Sequence, residues 1–406
     1  MSKVTRRAAL AGLATVPLAR PAFVRAQSSS APVKIGLLSD MGGPYRDVGG
    51  PGARVAVELA VQDFGGSVLG RPIQIMQADD QNKPDVAGSL ARQWIDDQGV
   101  NVLADGSATS SGLAIQQVSR EKKVIYLITG PAATDFTGKL CSPYGFHFCY
   151  DTYALGKGTG GLVTKAGGDT WFFVTADYQF GYSLQQNTET FIKAAGGKIL
   201  GSVRAPLGTS DFSSYLIQAK ASGAKVIGFA NAGTDLQNCI KQAAEFGIVK
   251  GGQRLATLLM FVTDVNSLGQ ATCDGLILTD SFYWDLTDKT RDWTKRYVAK
   301  MGTPPCMLHA GNYAAATHWL KAVKAANTLD SDTVAEMMKK LPVNDFYHDN
   351  VRIEPNGRVE DTMYVWQVKP ASESRYKWDF FKPVATMSGP DATMPLADTG
   401  CPLVHA

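Results

Sequence analysis

Short apolar runs alternate with amphipathic segments through most of the chain, and this alternation restricts the possible fold more than any other feature. Runs of strand length stand at residues 33–38, 73–76, 100–103 and 124–128. Segments with helical periodicity lie between them, at residues 53–64, 85–98 and 113–122. Strands interleaved with helices in this way predict a doubly wound parallel sheet.

The same pattern begins again near residue 171. Further apolar runs stand at residues 171–174, 199–203, 226–230, 258–261 and 276–278, and helical segments at 182–195, 211–222 and 235–246. Longer helices at 290–301, 310–326 and 331–340, a turn at 355–357 and a last strand at 363–368 follow. Two successive α/β cores in 406 residues predict two lobes.

Residues 1–26 have the features of an export signal. Arg6 and Arg7 precede an apolar run at residues 8–19, too short to span a bilayer, and Val24-Arg25-Ala26 is typical of a cleavage site. The arginine pair also fits a twin-arginine signal; a basic amphipathic first helix is the alternative. Because this segment holds five basic residues and no acid, its removal changes the formal charge from +3 to −2. We therefore expect a soluble, periplasmic protein that does not bind nucleic acid.

The sequence offers no metal, cofactor or catalytic motif in a convincing context. It has no C-x-x-C, nucleophile elbow or H-E-x-x-H pattern, and its five histidines are scattered. Residues 156–161 satisfy G-x-G-x-x-G, but five residues separate them from the preceding apolar run, unlike a dinucleotide-binding turn. The six cysteines allow fifteen pairings, of which we expect Cys141–Cys401 to fasten the C-terminal tail. We expect a non-enzymatic protein without metal or cofactor.

Four segments carry a resemblance to a known family. Residues 35–44 (IGLLSDMGGP), 79–80 (DD), 129–134 (TGPAAT) and 177–181 (DYQFG) occur in the order and spacing of type I periplasmic binding proteins of the leucine/isoleucine/valine-binding family. Phe180 stands where that family usually has tyrosine. The resemblance implies two lobes joined by a multi-strand hinge, with the ligand between them. We expect lobe 1 at 27–151 with 283–358, lobe 2 at 152–282 with 359–381, and a surface-wrapped coil at 382–406.

Two loops of lobe 1 offer hydrogen-bond donors at helix starts. Ser107, Thr109 and Ser110 follow the strand at 100–103, and hydroxyls with free N–H groups form an anion site without a formal charge. Ala132 and Thr134 lie on the next loop, and the resemblance implies that both loops hold a ligand carboxylate. The alternative for each hydroxyl is a helix cap.

Two charged residues of lobe 2 are further candidates. Asp235 falls where amino-acid binders of the family keep an acid for the ligand amine, although an acid near a helix start is also common without a ligand. Arg204 follows the strand at 199–203 and could pair with a carboxylate, or lie on the surface.

Aromatic residues crowd the same loop ends and favour an aromatic or keto acid as ligand. The candidates are Tyr45, Tyr153, Tyr178, Phe180, Phe282 and Tyr283. The sequence thus predicts a monomeric receptor that passes a small organic carboxylate to the membrane permease of an ABC importer. Branched-chain amino-acid binding for transport and ligand sensing by the same fold are the alternatives.

Overall fold

The computed structural model describes residues 31–404, so the predicted export signal at residues 1–26 lies outside the described residues. None of the helices within 31–404 is long and apolar enough to cross a membrane. The described chain forms two α/β lobes, which confirms the predicted fold class.

The first lobe is built on a six-stranded sheet with the order β2-β3-β1-β4-β5-β6. Its elements are β1 (Val33–Ser39), α1 (Gly50–Phe64), β2 (Ser67–Val68), β3 (Arg71–Asp79), α2 (Pro84–Asp96), β4 (Val102–Asp105), α3 (Thr109–Lys122), β5 (Ile125–Ile128) and β6 (Gly145–His147). All neighbours pair in parallel except the short β2, which forms a hairpin with β3. The carboxyl ends of the parallel strands therefore meet at one edge of the sheet.

The second lobe contains a parallel sheet with the order β10-β9-β7-β8. Its elements are α4 (Thr152–Leu155), α5 (Gly161–Lys165), β7 (Thr170–Ala176), α6 (Gln179–Ala194), β8 (Lys198–Ala205), α7 (Ser213–Ala221), β9 (Val226–Ala230), α8 (Gly233–Glu245), β10 (Arg254–Thr257), α9 (Val262–Leu268) and α10 (Gln270–Cys273). The strand predicted at 258–261 is wrong by one element: β10 ends at Thr257, and the apolar run after it is a loop.

The remaining chain returns to both lobes. It forms β11 (Ile277–Asp280), α11 (Asp288–Met301), α12 (Met307–Ala326), α13 (Ser331–Lys340), β12 (Met363–Val368), β13 (Phe381–Met387), α14 (Gly389–Ala392) and α15 (Leu396–Thr399). Helix α12 packs against α1 of the first lobe. Strands β11, β12 and β13 form an antiparallel sheet whose side chains share the core of the second lobe. We keep the predicted lobe boundaries as a proposal, because this arrangement supports them.

The glycine-rich segment at 156–161 is helical rather than a phosphate-binding turn. A π-helix (Gly156–Gly160) joins α4 to α5. A Cβ atom on Gly156 would lie 2.8 Å from the backbone nitrogen of Thr188, and one on Gly158 would lie 2.4 Å from Thr279 Oγ1. These glycines therefore let the helix pack closely on its neighbours.

The C-terminal tail is more regular than predicted. Residues 381–387 form a strand, so the expectation of coil from residue 382 onward is wrong. The predicted disulfide between Cys141 and Cys401 is confirmed, and it fastens the end of the tail to the first lobe.

Candidate functional site

A closed cavity, here called the cleft cavity, lies between the loops of the two lobes. It encloses about 290 Å³. Five residues proposed from the sequence line it: Tyr45, Ser107, Thr109, Tyr178 and Phe180. The first three belong to lobe 1 and the last two to lobe 2, so a molecule in this cavity would contact both.

The lobe 1 wall presents two buried hydroxyl groups at the start of α3. The N–H of Asp40 donates to Ser107 Oγ at 2.9 Å, and the N–H of Ala132 donates to Thr109 Oγ1 at 3.3 Å. Because both oxygens accept from the backbone, their hydroxyl hydrogens remain available to a ligand. The first N–H groups of α3 have no partner within the helix, so this wall suits an anionic or acceptor group.

Three tyrosines form an aromatic wall that joins the lobes. Tyr45 Oη and Tyr178 Oη are 2.7 Å apart across the cleft. Tyr150 Oη donates to the carbonyl of Gly130 at 2.6 Å, and the ring of Phe180 is tilted against Tyr178. Burial raises the pKa of Tyr45 and of Tyr178 well above the usual value, so both stay protonated and can donate to a ligand.

Other contacts hold the cleft closed around this cavity. The N–H of Thr234 donates to the carbonyl of Pro44 at 3.3 Å, and Gln179 Nε2 donates to Asp135 Oδ2 at 2.9 Å. Gly233 has a φ of +61°, and a Cβ there would lie 2.3 Å from the Pro44 oxygen. Glycine at this position therefore allows the two lobes to approach this closely.

None of the described residues that line the cleft cavity is charged. Asp105 lies behind Gly130, where it accepts hydrogen bonds from Ser39 Oγ at 2.6 Å and Thr129 Oγ1 at 3.3 Å. Burial raises the pKa of Asp105 to about 6. This acid connects the strand ends and is not a cavity-lining group.

Asp235 does not line the cleft cavity, although it is near. It is the third residue of α8, and its carboxylate accepts from the N–H of Gly208 at 3.1 and 3.2 Å. Burial raises its pKa to about 7. The geometry matches the alternative of a loop-fastening acid near a helix start better than pairing with a ligand amine.

Arg204 lies on the surface and is also outside the cavity. Its guanidinium stacks on the ring of Tyr182, 4.6 Å from the ring centre. Along β8 the exposed residues alternate with half-buried ones, and Arg204 has the exposed parity. The expected pairing of this arginine with a ligand carboxylate has no basis in this geometry.

Three predicted aromatic residues pack elsewhere. Phe282 sits edge-on to Trp293 in the core, and Tyr283 Oη donates to the carbonyl of Trp378 at 3.0 Å. Tyr153 packs edge-on against Phe191. Their side chains fill the protein around the hinge and do not reach the cavity.

The remaining candidates are close to the cavity but do not line it. Ser110 is half-buried on α3, and Ala132 contributes its N–H to Thr109. Thr134 Oγ1 lies 3.4 Å from Ser183 Oγ, so it helps to join the lobes.

The sequence reasoning missed seven lining residues, most of them apolar. They are Val48, Gly130, Tyr150, Ala232, Leu259, Phe261 and Leu308. Gly130 and Ala232 belong to loops that had been identified after strands. The others read as core positions, because an apolar cavity wall and a packed core have the same composition.

Comparison with known proteins gives a consistent assignment. Residues 32–374 match the family model described as periplasmic binding protein. A periplasmic binding protein from Burkholderia mallei is 48% identical, with a TM-score of 0.90 over 92% of this chain and 99% of that one. A branched-chain amino acid ABC transporter periplasmic ligand-binding protein from Burkholderia xenovorans is 37% identical, with a TM-score of 0.81 over 91% and 99%.

More distant proteins share the fold. A solute-binding protein from R. palustris, solved in complex with benzoate, is 20% identical, with a TM-score of 0.81 over 92% of this chain and 100% of that one. The Leu/Ile/Val-binding protein homolog 6 of Brucella melitensis is 23% identical over 225 residues, 55% of this chain. The match spans 57% of that relative, so little more than half the length of the curated relatives is covered.

Proposed function

The chain belongs to the periplasmic binding protein family, a family of solute-binding receptors and not of enzymes, and we propose that it is the periplasmic receptor of an ABC importer for a small aromatic carboxylate. It would act as a monomer and deliver its ligand to a membrane permease. The export signal predicted at residues 1–26 agrees with this location.

The observation that carries the proposal is the chemistry of the cleft cavity. Its walls are aromatic and aliphatic side chains, its polar groups are hydroxyls and helix-start N–H groups, and none of its described lining residues is charged. A carboxylate can be bound by such donors alone. An amino acid also carries an ammonium group, which is costly to bury without a counter-charge.

The size and polarity of the cavity agree with a single substituted ring. A volume of about 290 Å³ is at the low end for ligand pockets, which run from about 300 to 1,000 Å³. The carboxylate would lie against Ser107 and Thr109, and the ring between the tyrosines and Phe180. The paired hydroxyls of Tyr45 and Tyr178 could then bond a ring hydroxyl or a keto oxygen at the opposite end.

The ligands of distant relatives agree with this class. Solute-binding proteins from R. palustris were solved with benzoate and with 4-hydroxybenzoate, at 20% identity to this chain. They share the fold, so they support the proposal without deciding it.

Branched-chain amino acid binding is the second candidate. The 37% identical relative from Burkholderia xenovorans is named for these ligands, and Val48, Leu259 and Leu308 provide an aliphatic surface in the cleft cavity. In that case Asp235 would have to leave Gly208 and turn towards the ligand amine.

Ligand binding would stabilise the closed arrangement, because the ligand contacts both lobes. The open form would leave Tyr45 without Tyr178, and the closed form would be the one that docks on the permease.

Thermal unfolding with benzoate, 4-hydroxybenzoate, phenylpyruvate and leucine tests the proposal. A ligand at 1,000 times its dissociation constant adds about 4 kcal/mol of stability, which raises the melting temperature measurably. We expect the aromatic acids to stabilise the protein and Ser107→Ala to weaken that effect. Ser110→Ala is the matched control, since its hydroxyl lies on the same helix start but outside the cavity. Stabilisation by leucine alone would contradict the proposal.

A further inference from the structure

A second chamber lies beside the cleft cavity, also between the lobes. It has a volume of about 330 Å³. Gly52 on α1, Tyr297 on α11 and His309 on α12 line it from lobe 1, and Thr263 on α9 lines it from lobe 2. Leu308 and Phe261, which line the cleft cavity, stand next to His309 and Thr263 in the chain, so the two spaces are neighbours but have different walls.

Three buried polar atoms in this chamber have no hydrogen-bond partner among residues 31–404. They are Tyr297 Oη, His309 Nε2 and Thr263 Oγ1. The side chains of Tyr297 and His309 are 1% and 3% exposed. Buried polar groups are nearly always paired in folded proteins, so three that face one space indicate that this space receives a polar molecule.

The hydrogen-bonding role of His309 follows from its other ring nitrogen. The backbone N–H of Cys306 donates to His309 Nδ1 at 3.1 Å, so Nδ1 is an acceptor and the proton of the neutral ring lies on Nε2. Burial lowers the pKa of His309 to about 4, which keeps the ring neutral. The carbonyl of Gly49 is near the ring but makes no hydrogen bond to Nε2, which therefore points a free donor into the chamber.

Gly52 keeps the space in front of these donors open. A Cβ on Gly52 would lie 2.4 Å from His309 Nε2 and 2.4 Å from Tyr297 Oη. The two atoms are therefore at most twice that distance apart and converge on one point. A single acceptor oxygen with two lone pairs can take a hydrogen bond from each.

The charge of the chamber favours a neutral occupant. Arg46 and Asp47 lie at its rim, where they pair with each other at 3.1 Å and are both exposed. The buried wall offers donors on the lobe 1 side and, in Thr263 Oγ1, an acceptor on the lobe 2 side. A carboxylate would face Asp47 and leave that acceptor unused, whereas a primary amide matches both sides.

We propose that the second chamber is an accessory binding site for a small primary carboxamide. The amide oxygen accepts from His309 Nε2–H and Tyr297 Oη–H, and the amide NH₂ donates to Thr263 Oγ1. Such an occupant touches both lobes and therefore favours the closed form, so it also raises the affinity for the cleft ligand, whatever that ligand is. The site does not depend on the aromatic-acid assignment of the cleft cavity.

Histidine nitrogen NMR of the full protein, titrated with acetamide in the absence of any cleft ligand, tests this site. The signal of His309 is assigned by its loss in His309→Gln. We expect a saturable shift of the His309 Nε2–H signal, and Tyr297→Phe should weaken acetamide binding about threefold to tenfold. Tyr347→Phe is the matched control: it also removes a buried hydroxyl without a partner among the described residues, but one outside the chamber.

The outcomes separate the alternatives. No shift with acetamide, or equal affinity in Tyr297→Phe and Tyr347→Phe, overturns the site, and an equal response to ethylene glycol overturns the preference for an amide. Thr263→Val serves as a second variant if Tyr297→Phe does not fold, with the same weakening expected. Failure of benzoate to bind would leave these results unaffected.

Discussion

Arg358 is the centre of a buried ionic network at the hinge, and its replacement gives the sharpest stability prediction. Its side chain is 1% exposed. Nε lies 3.2 Å from Asp151 Oδ2, Nη1 lies 3.5 Å from Asp361 Oδ2, and Nη1 donates to the carbonyl of His147 at 2.9 Å. Asp151 directly precedes α4 and Asp361 nearly adjoins β12, so this arginine joins two segments where the chain passes between lobes.

Arg358→Met keeps most of the side-chain volume and removes the charge. Breaking a buried ion pair costs about 3–5 kcal/mol, because the partner charge is left unpaired. Asp361 still has His348, and Asp151 still accepts from the N–H of Ala154, so we expect the lower limit of about 3 kcal/mol. Urea unfolding at pH 7, followed by tryptophan fluorescence, measures the loss.

The control and the pH dependence make this prediction specific. Arg352→Met removes the same charge from an exposed side chain and should cost less than about 1 kcal/mol. Burial already raises the pKa of Asp151, and loss of Arg358 raises it further, so the deficit should shrink as the pH falls and Asp151 is protonated. Asp151→Asn in the Arg358→Met background should recover part of the loss. A deficit equal to that of Arg352→Met would refute the reasoning.

Three further predictions concern the cleft, the tail and one buried acid. Tyr45→Phe removes the hydrogen bond to Tyr178 and should weaken cleft-ligand binding about threefold to tenfold in calorimetry, with an unchanged affinity counting against an interlobe role. Replacing Cys141 and Cys401 by serine should lower the stability by about 2–5 kcal/mol and expose the tail to limited proteolysis. Burial raises the pKa of Asp235 to about 7, so its charge opposes folding increasingly as the pH rises through 7; Asp235→Asn should raise the melting temperature at pH 8.5 and change it little at pH 5.

The sequence predicted the elements whose pattern is regular. Strand β12 (Met363–Val368) and helix α13 (Ser331–Lys340) have the predicted bounds, and β1 differs only by including Ser39. In each, local periodicity and burial agree. The helical stretch from Thr152 to Lys165 was missed, because its glycines disfavour a helix and only the close contacts with Thr188 and Thr279 explain why they are there.

The candidate site was predicted in part, and the errors have physical causes. Ser107 and Thr109 were found because polar loops after parallel strands meet at one edge of the sheet. Leu259 and Phe261 were assigned to a strand, since an apolar run has the same appearance in a cavity wall. Arg204 was misplaced because its chemistry was considered without its parity on β8, which points it away from the core.

Isothermal titration of the protein with benzoate and, separately, with leucine tests the central claim most directly. Because the cleft cavity offers donors for a carboxylate and no charged lining group for an ammonium, we predict saturable binding of one benzoate, at least about a hundredfold tighter than that of leucine. Tighter binding of leucine would contradict the account and would place Asp235 at the ligand.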